Sequence, residues 1–140
     1  MRAEAISELK SKRGGQVLTS LNTFSENSIS TFTECFDSSD HLVFAGLFGD
    51  AVVAYGVLEF SNTNDNHIVA FIKEIFVMKD ARSVGVGESV INLMTEEARN
   101  HGAVGIDSFA LPGDRETKNF FETQGMVARL IHVYRSFDSN

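Results

Sequence analysis

The sequence predicts a single mixed α/β domain built on a central, mostly antiparallel sheet with one βαβ crossover. Three observations predict it. From residue 42 onward the hydrophobic pattern reads strand, strand, strand, helix, strand, helix, strand. The first two strands are separated only by Gly49-Asp50, which demands an antiparallel hairpin. The third strand, the helix after it and the next strand form a parallel crossover unit. The chain has 140 residues, 43% of them hydrophobic and 22% charged, which suits one domain (1–140) with a real core.

The elements follow in order. Residues 2–12 have helix-forming composition, and Gly14-Gly15 ends them. Val17, Leu18, Leu21 and Phe24 fit a helical stripe, though the segment reads ambiguously. Ser25 or Asn27 is placed to cap a further helix carrying Ile29, Phe32, Cys35 and Phe36. Asp37–Asp40 is a loop. Strands are expected at Leu42–Phe48, Ala51–Phe60 and His67–Met78, the third long enough to contain a bulge. Residues 61–66 form a polar loop. A helix over about Val84–Asn100 carries Val86, Val90, Leu93, Met94 and Ala98 on one face and ends at His101-Gly102. A strand spans Ala103–Phe109, Pro112-Gly113-Asp114 turns, and a helix over Arg115–Gln124 ends at Gly125. Met126–Phe137 is expected to be a long final strand, followed by a frayed tail.

Composition excludes several classes. A net charge of −7 argues against nonspecific binding to a nucleic-acid backbone and favours a cationic partner. The basic cluster Lys10-Ser11-Lys12-Arg13 reads as a solvated helix end. No apolar run approaches the roughly 20 residues of a membrane span, and no secretory leader is visible. The single cysteine, Cys35, has no internal disulfide partner, so a reducing cytoplasm is expected, with Cys35 buried as packing. The four histidines lack metal-ligand spacing, so no metal site is expected.

The chemistry concentrates at Phe71–His101. There a β-branched strand leads through Lys79-Asp80-Ala81 into Arg82-Ser83-Val84-Gly85-Val86-Gly87 and then a helix. Strand, glycine loop and helix make an anion site: the first helical amides lack partners and the macrodipole adds positive potential. Glycine lets a phosphate approach the backbone. The alternative is an ordinary strand-to-helix turn. A dinucleotide fingerprint fits worse: Asp107 has the spacing of its acid, but Val90 stands at the third glycine and the preceding strands read antiparallel.

Arg82-x-x-Gly85-x-Gly87 after a strand resembles the pyrophosphate-binding motif of the GNAT N-acetyltransferase superfamily, and the element order over 42–137 is similar to that fold. Lys118–Met126, with Phe120-Phe121 ahead of Gly125-Met126, resembles its second motif. The resemblance implies acetyl-CoA as cosubstrate, held in the gap of a splayed strand pair. The amides of Ser83, Val84, Gly85, Val86, Gly87 and Glu88, after Arg82, would hold the pyrophosphate. Ile75, Phe76 and Val77 would pair with the pantetheine arm, with an amide near Val77 polarising the thioester carbonyl. Asp114 maps loosely onto an Asn near the cofactor, and Phe121 onto a cofactor-wall position where many members carry a tyrosine acid. Phe has no hydroxyl, so that role does not carry over. GNAT folds also begin with a strand that this sequence does not display.

Glu74 maps onto the strand where the family often carries its base, needed because an ammonium must lose a proton before its nitrogen attacks. On alternation it shares a face with Ile72 and Phe76; the alternative is a solvent-facing or structurally paired carboxylate beside Lys73. Asp107 and Ser108 are secondary candidates, and Tyr134 is a candidate acid, weighed against plain strand packing. The expected activity is acetyl transfer from acetyl-CoA to a primary amine by direct attack. The rival is a noncatalytic GNAT-fold module that binds CoA or a protein; a longer acyl group is a wider alternative. The expected partners are a small-molecule or peptide amine, favoured to be cationic, and a second copy in a homodimer, with neither nucleic acid nor membrane.

Overall fold

The computed structural model describes residues 1–21 and 29–137. The N-terminal part holds three helices: α1 (Arg2–Ser11), α2 (Gly15–Leu21) and α3 (Ile29–Asp37). Four strands follow, β1 (His41–Phe48), β2 (Ala51–Asn62), β3 (Ile68–Val77) and β4 (Ala103–Asp107). Helix α4 (Val86–Asn100) links β3 to β4, and α5 (Arg115–Thr123) follows β4. The sheet order is β1-β2-β3-β4, antiparallel except for the β3–β4 pair. The expected caps for α3, Ser25 and Asn27, lie outside the described residues.

Each face of the sheet buries a separate core. Ala54, Leu58, Ala70 and Ile72 meet the apolar stripe of α4, namely Val86, Val90, Ile91, Met94 and Ala98, with Phe121 of α5 closing the cluster. Leu93, expected on that stripe, is 45% exposed instead, because Ile91 takes the inward position. Gly56 is required for close approach: a Cβ there would lie 2.7 Å from Met94 Sδ. On the other face Tyr55, Val57, Phe76 and Cys35 cluster with Ala5 of α1. Cys35 is buried as expected, and burial pushes its thiol pKa up.

Two irregularities shape the site. The β2–β3 register shifts between Val57 and Leu58, which pair with Glu74 and Ile72, leaving Lys73 as the bulged residue. Lys73 therefore reaches Glu59 at 2.9 Å while Glu74 turns to the α1 side with Phe76. Ile72 belongs to the α4 core. The expected alternation of Ile72, Glu74 and Phe76 on one face is thus corrected: the bulge reverses the parity between 72 and 74. Second, β3 and β4 pair only as far as Phe71–Asp107. Beyond that point Ser108 Oγ donates to Ile72 O at 3.1 Å and the strands part.

The expected final strand is also corrected. Residues 126–137 join no ladder. Val127, Ile131, Val133 and Phe137 are each more than 80% exposed. The apolar pattern is strand-like, but a strand needs a neighbour's hydrogen bonds. The segment is anchored by Met126, whose N–H bonds to Phe121 O at 3.1 Å and whose side chain packs on the α4 core, and by an ion pair between Arg129 and Asp107 at the end of β4. Among the described residues no strand precedes α1, and no helix is long and apolar enough to cross a membrane.

Candidate functional site

Where β3 leaves β4, the sheet opens into a cleft of about 610 Å³. Its floor is β3 from Ile72 to Val77, and its sides come from α1, the residues after β4, and α5. Met78 N–H bonds to Val53 O at 2.8 Å, so by strand alternation the amides of Ile75 and Val77 point the other way, to the open edge. No described strand pairs with that edge beyond Phe71, and Arg82 Nε takes Val77 O there.

At one end of the cleft lies the 82–87 loop. A 3₁₀ turn over Lys79–Ala81 leads into it. Ser83 and Gly85 both have positive φ, 71° and 86°. This is a strained conformation for serine and an ordinary one for glycine. Gly85 caps α4, and the first helical bond runs from Ser89 N to Gly85 O, 3.1 Å. The amides of Val86, Gly87 and Glu88 therefore have no acceptor within the helix. Gly87 packs closely: a Cβ would meet Val77 Cγ2 at 3.2 Å and a Phe120 ring carbon at 3.4 Å. Val86 itself is core, and Val84 is half exposed on the opposite surface.

Arg82 is held on four sides. Its Nε donates to Val77 O at 2.9 Å and its Nη2 to Glu8 Oε2 at 2.8 Å. Its guanidinium lies 5.5 Å from the Phe76 ring centroid, and Glu116 stands 3.6 Å away. The bond to Glu8, above all, raises the Arg82 pKa over its ordinary value, and the same bond holds Glu8 below the usual carboxylate range.

Glu74 lines the cleft but is already engaged. Arg2 Nη2 reaches Oε1 at 2.8 Å, Arg2 Nε lies within 3.2 Å of both oxygens, and the Tyr55 hydroxyl donates to Oε2 at 2.9 Å. Burial and this neighbouring carboxylate push the Tyr55 pKa far up, so the phenol stays protonated. Glu74 thus joins α1 to the sheet through Arg2, while Lys73 pairs with Glu59 instead. Asp107, the secondary candidate, is tied to Arg129 and to the Ser108 amide.

Asp114 is buried at the start of α5 as its N-cap. It accepts from Thr117 N at 3.2 Å, Thr117 Oγ1 at 2.7 Å and Lys12 Nζ at 2.7 Å. Burial alone would raise its pKa, but Lys12 and Thr117 outweigh burial and hold it low. Phe121 is buried at the cleft wall, its ring tilted against Phe120 at 5.8 Å between centroids. Tyr134, 59% exposed, does not line the cleft. The site so gathers Glu74, Ile75, Phe76, Val77, Arg82, Ser83, Gly85, Gly87, Glu88, Asp114 and Phe121 around one opening. Sequence reading missed Arg2, Glu8, Lys12 and Tyr55. Lys12 in particular is a cleft residue rather than part of a solvated helix end. The one available signal was that α1 carries charges on every side with no apolar stripe, a pattern that needs ion-pair partners. Among the described residues no group of three His, Cys, Asp or Glu side chains could hold a metal ion.

Solved structures share this architecture. A transcriptional regulator from Bacillus halodurans C-125 superposes with a TM-score of 0.73 at 16% identity, covering 97% of this chain and 93% of its own. Glucosamine-6-phosphate N-acetyltransferase from Arabidopsis thaliana gives 0.65 at 18% identity, covering 81% and 80%. AAC(6')-Iy, solved with the bisubstrate analogue CoA-S-monomethyl-acetylneamine, gives 0.69 at 17%, covering 80% of each chain. No curated protein matches the chain. At such identities the likeness is one of fold. The sequence itself goes further: the model of the acetyltransferase (GNAT) family matches residues 7–126, from α1 through the splayed strands and the glycine loop to the end of α5, and the chain belongs to that family.

Proposed function

We propose that this protein transfers an acetyl group from acetyl-CoA to a primary amine by direct attack of the amine on the thioester. The observation that carries the reading is the coincidence, in one cleft, of an open strand edge with outward amides and a glycine loop at a helix N-terminus. The loop suits a pyrophosphate and the edge suits the amide-bearing arm that follows it. Glycine suits both loop positions: a Cβ at Gly85 would meet nothing within 4 Å but its φ is positive, and at Gly87 a Cβ would press on Val77 and Phe120 in the cleft wall. When bound, acetyl-CoA would supply the thioester. The chain would supply position and polarity, with the outward Val77 amide as donor to the carbonyl oxygen as charge builds there.

Acid residues outnumber basic ones around the opening: Glu8, Glu74, Glu88, Asp114 and Glu116 against Lys12, Lys73 and Arg82. This favours a cationic amine, in keeping with the net charge of −7. Glu74 is our choice for the proton acceptor. Its Arg2 and Tyr55 bonds fix its direction, and the proton would pass to it directly or through one water. The departing thiolate leaves without a hydroxyl at residue 121, which a thiol with a pKa of about 8.5 tolerates. The rival reading is a noncatalytic CoA-binding module, favoured by Phe121 and by the fully engaged Glu74. A thiol-release assay against an amine panel decides between them. Turnover above the hydrolysis background supports the transferase, and tight CoA binding without turnover supports the module.

A further inference from the structure

Helix α1 presents a carboxylate to the mouth of the phosphate loop, and two cations hold it there. Glu8 Oε2 accepts from Arg82 at 2.8 Å, and Glu8 Oε1 lies 3.5 Å from Lys12 Nζ. Lys12 spans the gap to Asp114 at 2.7 Å. Glu8, Lys12, Arg82 and Asp114 all line the cleft that holds Ser83, Gly85 and Gly87. An acid clasped between a lysine and an arginine, in the cleft that also holds the start of α4, occupies an anion position. Neither Glu8 nor Lys12 belongs to the glycine loop.

We propose that Glu8 is a built-in competitor for the cofactor's pyrophosphate, and that Lys12, with Arg82, becomes a phosphate-binding residue when Glu8 is displaced. The inference rests on the cofactor reading above. Its physical basis is charge. A pyrophosphate entering beside Glu8 meets a like charge, and that carboxylate already holds Arg82 and stands beside Lys12, the two cations the pyrophosphate would use. Displacing Glu8 removes the repulsion and takes one carboxylate from each cation, with Asp114 remaining on Lys12 and Glu116 beside Arg82. Arg82 is already set for the exchange, because Val77 O and the Phe76 ring hold its guanidinium whether or not Glu8 is present. Cofactor affinity is therefore set by the competition of two anions for Arg82 and Lys12. A purely structural Glu8, which only positions Arg82, would act in the opposite direction.

The test is calorimetric titration with CoA and, separately, with pantetheine, which lacks phosphate. Glu8→Gln should bind CoA about three- to tenfold more tightly than wild type. Lys12→Gln should bind it more weakly by a similar factor, with Lys12→Arg restoring affinity. Pantetheine binding should stay unchanged in all three, and raised salt should narrow the CoA differences. Weaker or unchanged CoA binding in Glu8→Gln, in a variant whose melting shows it folded, would overturn the proposal. So would an equal loss of pantetheine and CoA affinity in Lys12→Gln, which would make Lys12 a prop for α5. Should Glu8→Gln fail to fold, the Lys12 pair still decides. Absence of CoA binding in the wild type would overturn the cofactor reading itself, a result distinct from either of these.

Discussion

Helices α1 and α4 border the same cleft and are held there by different forces. Helix α4 is fixed by burial: Val90, Ile91, Met94 and Ala98 are each no more than 3% exposed against the sheet. Helix α1 buries only Ile6 and is fixed by ion pairs, Arg2–Glu74, Glu8–Arg82 and Lys12–Asp114, one near each end and one between. Burial is insensitive to pH and ionic strength, whereas part-exposed ion pairs respond to both. The helix that presents the glycine loop is thus set by packing, and the helix that faces it is attached by ion pairs.

The contrast can be broken at several strengths. Met94→Ala removes a fully buried side chain from the α4 core and should cost about 2–5 kcal/mol, read as a lowered chemical-denaturation midpoint. Arg2→Met strands Glu74 and should cost about 1–3 kcal/mol, with faster hydrogen exchange confined to α1. Equal loosening of α1 and α4 in that variant would contradict the division. Phe121→Tyr adds a hydroxyl at the cleft wall. If thiolate protonation limits the rate, turnover should rise about tenfold or more with little change in CoA affinity; an unchanged rate would show that water suffices.

Of the two helices, α1 should respond to pH and α4 should not. Glu8 and Asp114 have depressed pKa values in the folded state, so their contribution to stability is full above the ordinary carboxylate range. It is lost as pH falls below about 4 and through the folded values. Exchange in α1 should therefore accelerate on acidification before exchange in α4 does. Simultaneous loosening of both helices would count against the ion-pair account.

Much of this was legible in the sequence because glycine punctuation and periodicity are local signals. Gly49-Asp50 marked the hairpin, Gly85-x-Gly87 the loop, and Gly102 and Gly125 the helix ends, where the structure has positive φ at Gly85, Gly102 and Gly125. What was not legible depends on distant partners. The pairing of Arg2 with Glu74 spans 72 residues. The bulge at Lys73 was anticipated for the strand as a whole but not at a residue, and its position alone decides which face Glu74 takes. Residues 126–137 were misread for the same reason: alternation describes a strand's side chains, while the strand state needs a ladder partner that the local sequence does not name.

The splayed edge and the glycine loop together are proposed to bind acetyl-CoA. The most direct measurement is calorimetric titration of wild type and Gly87→Val with acetyl-CoA, alongside a melting curve for each. At residue 87 the Cβ would press on Val77 and Phe120, and the γ-carbons would crowd the approach to the α4 amides. The account predicts saturable one-to-one binding in wild type and a loss of at least about tenfold in the variant, equivalent to about 1.4 kcal/mol, with the cooperative melt retained. Equal affinity in the two proteins would contradict it.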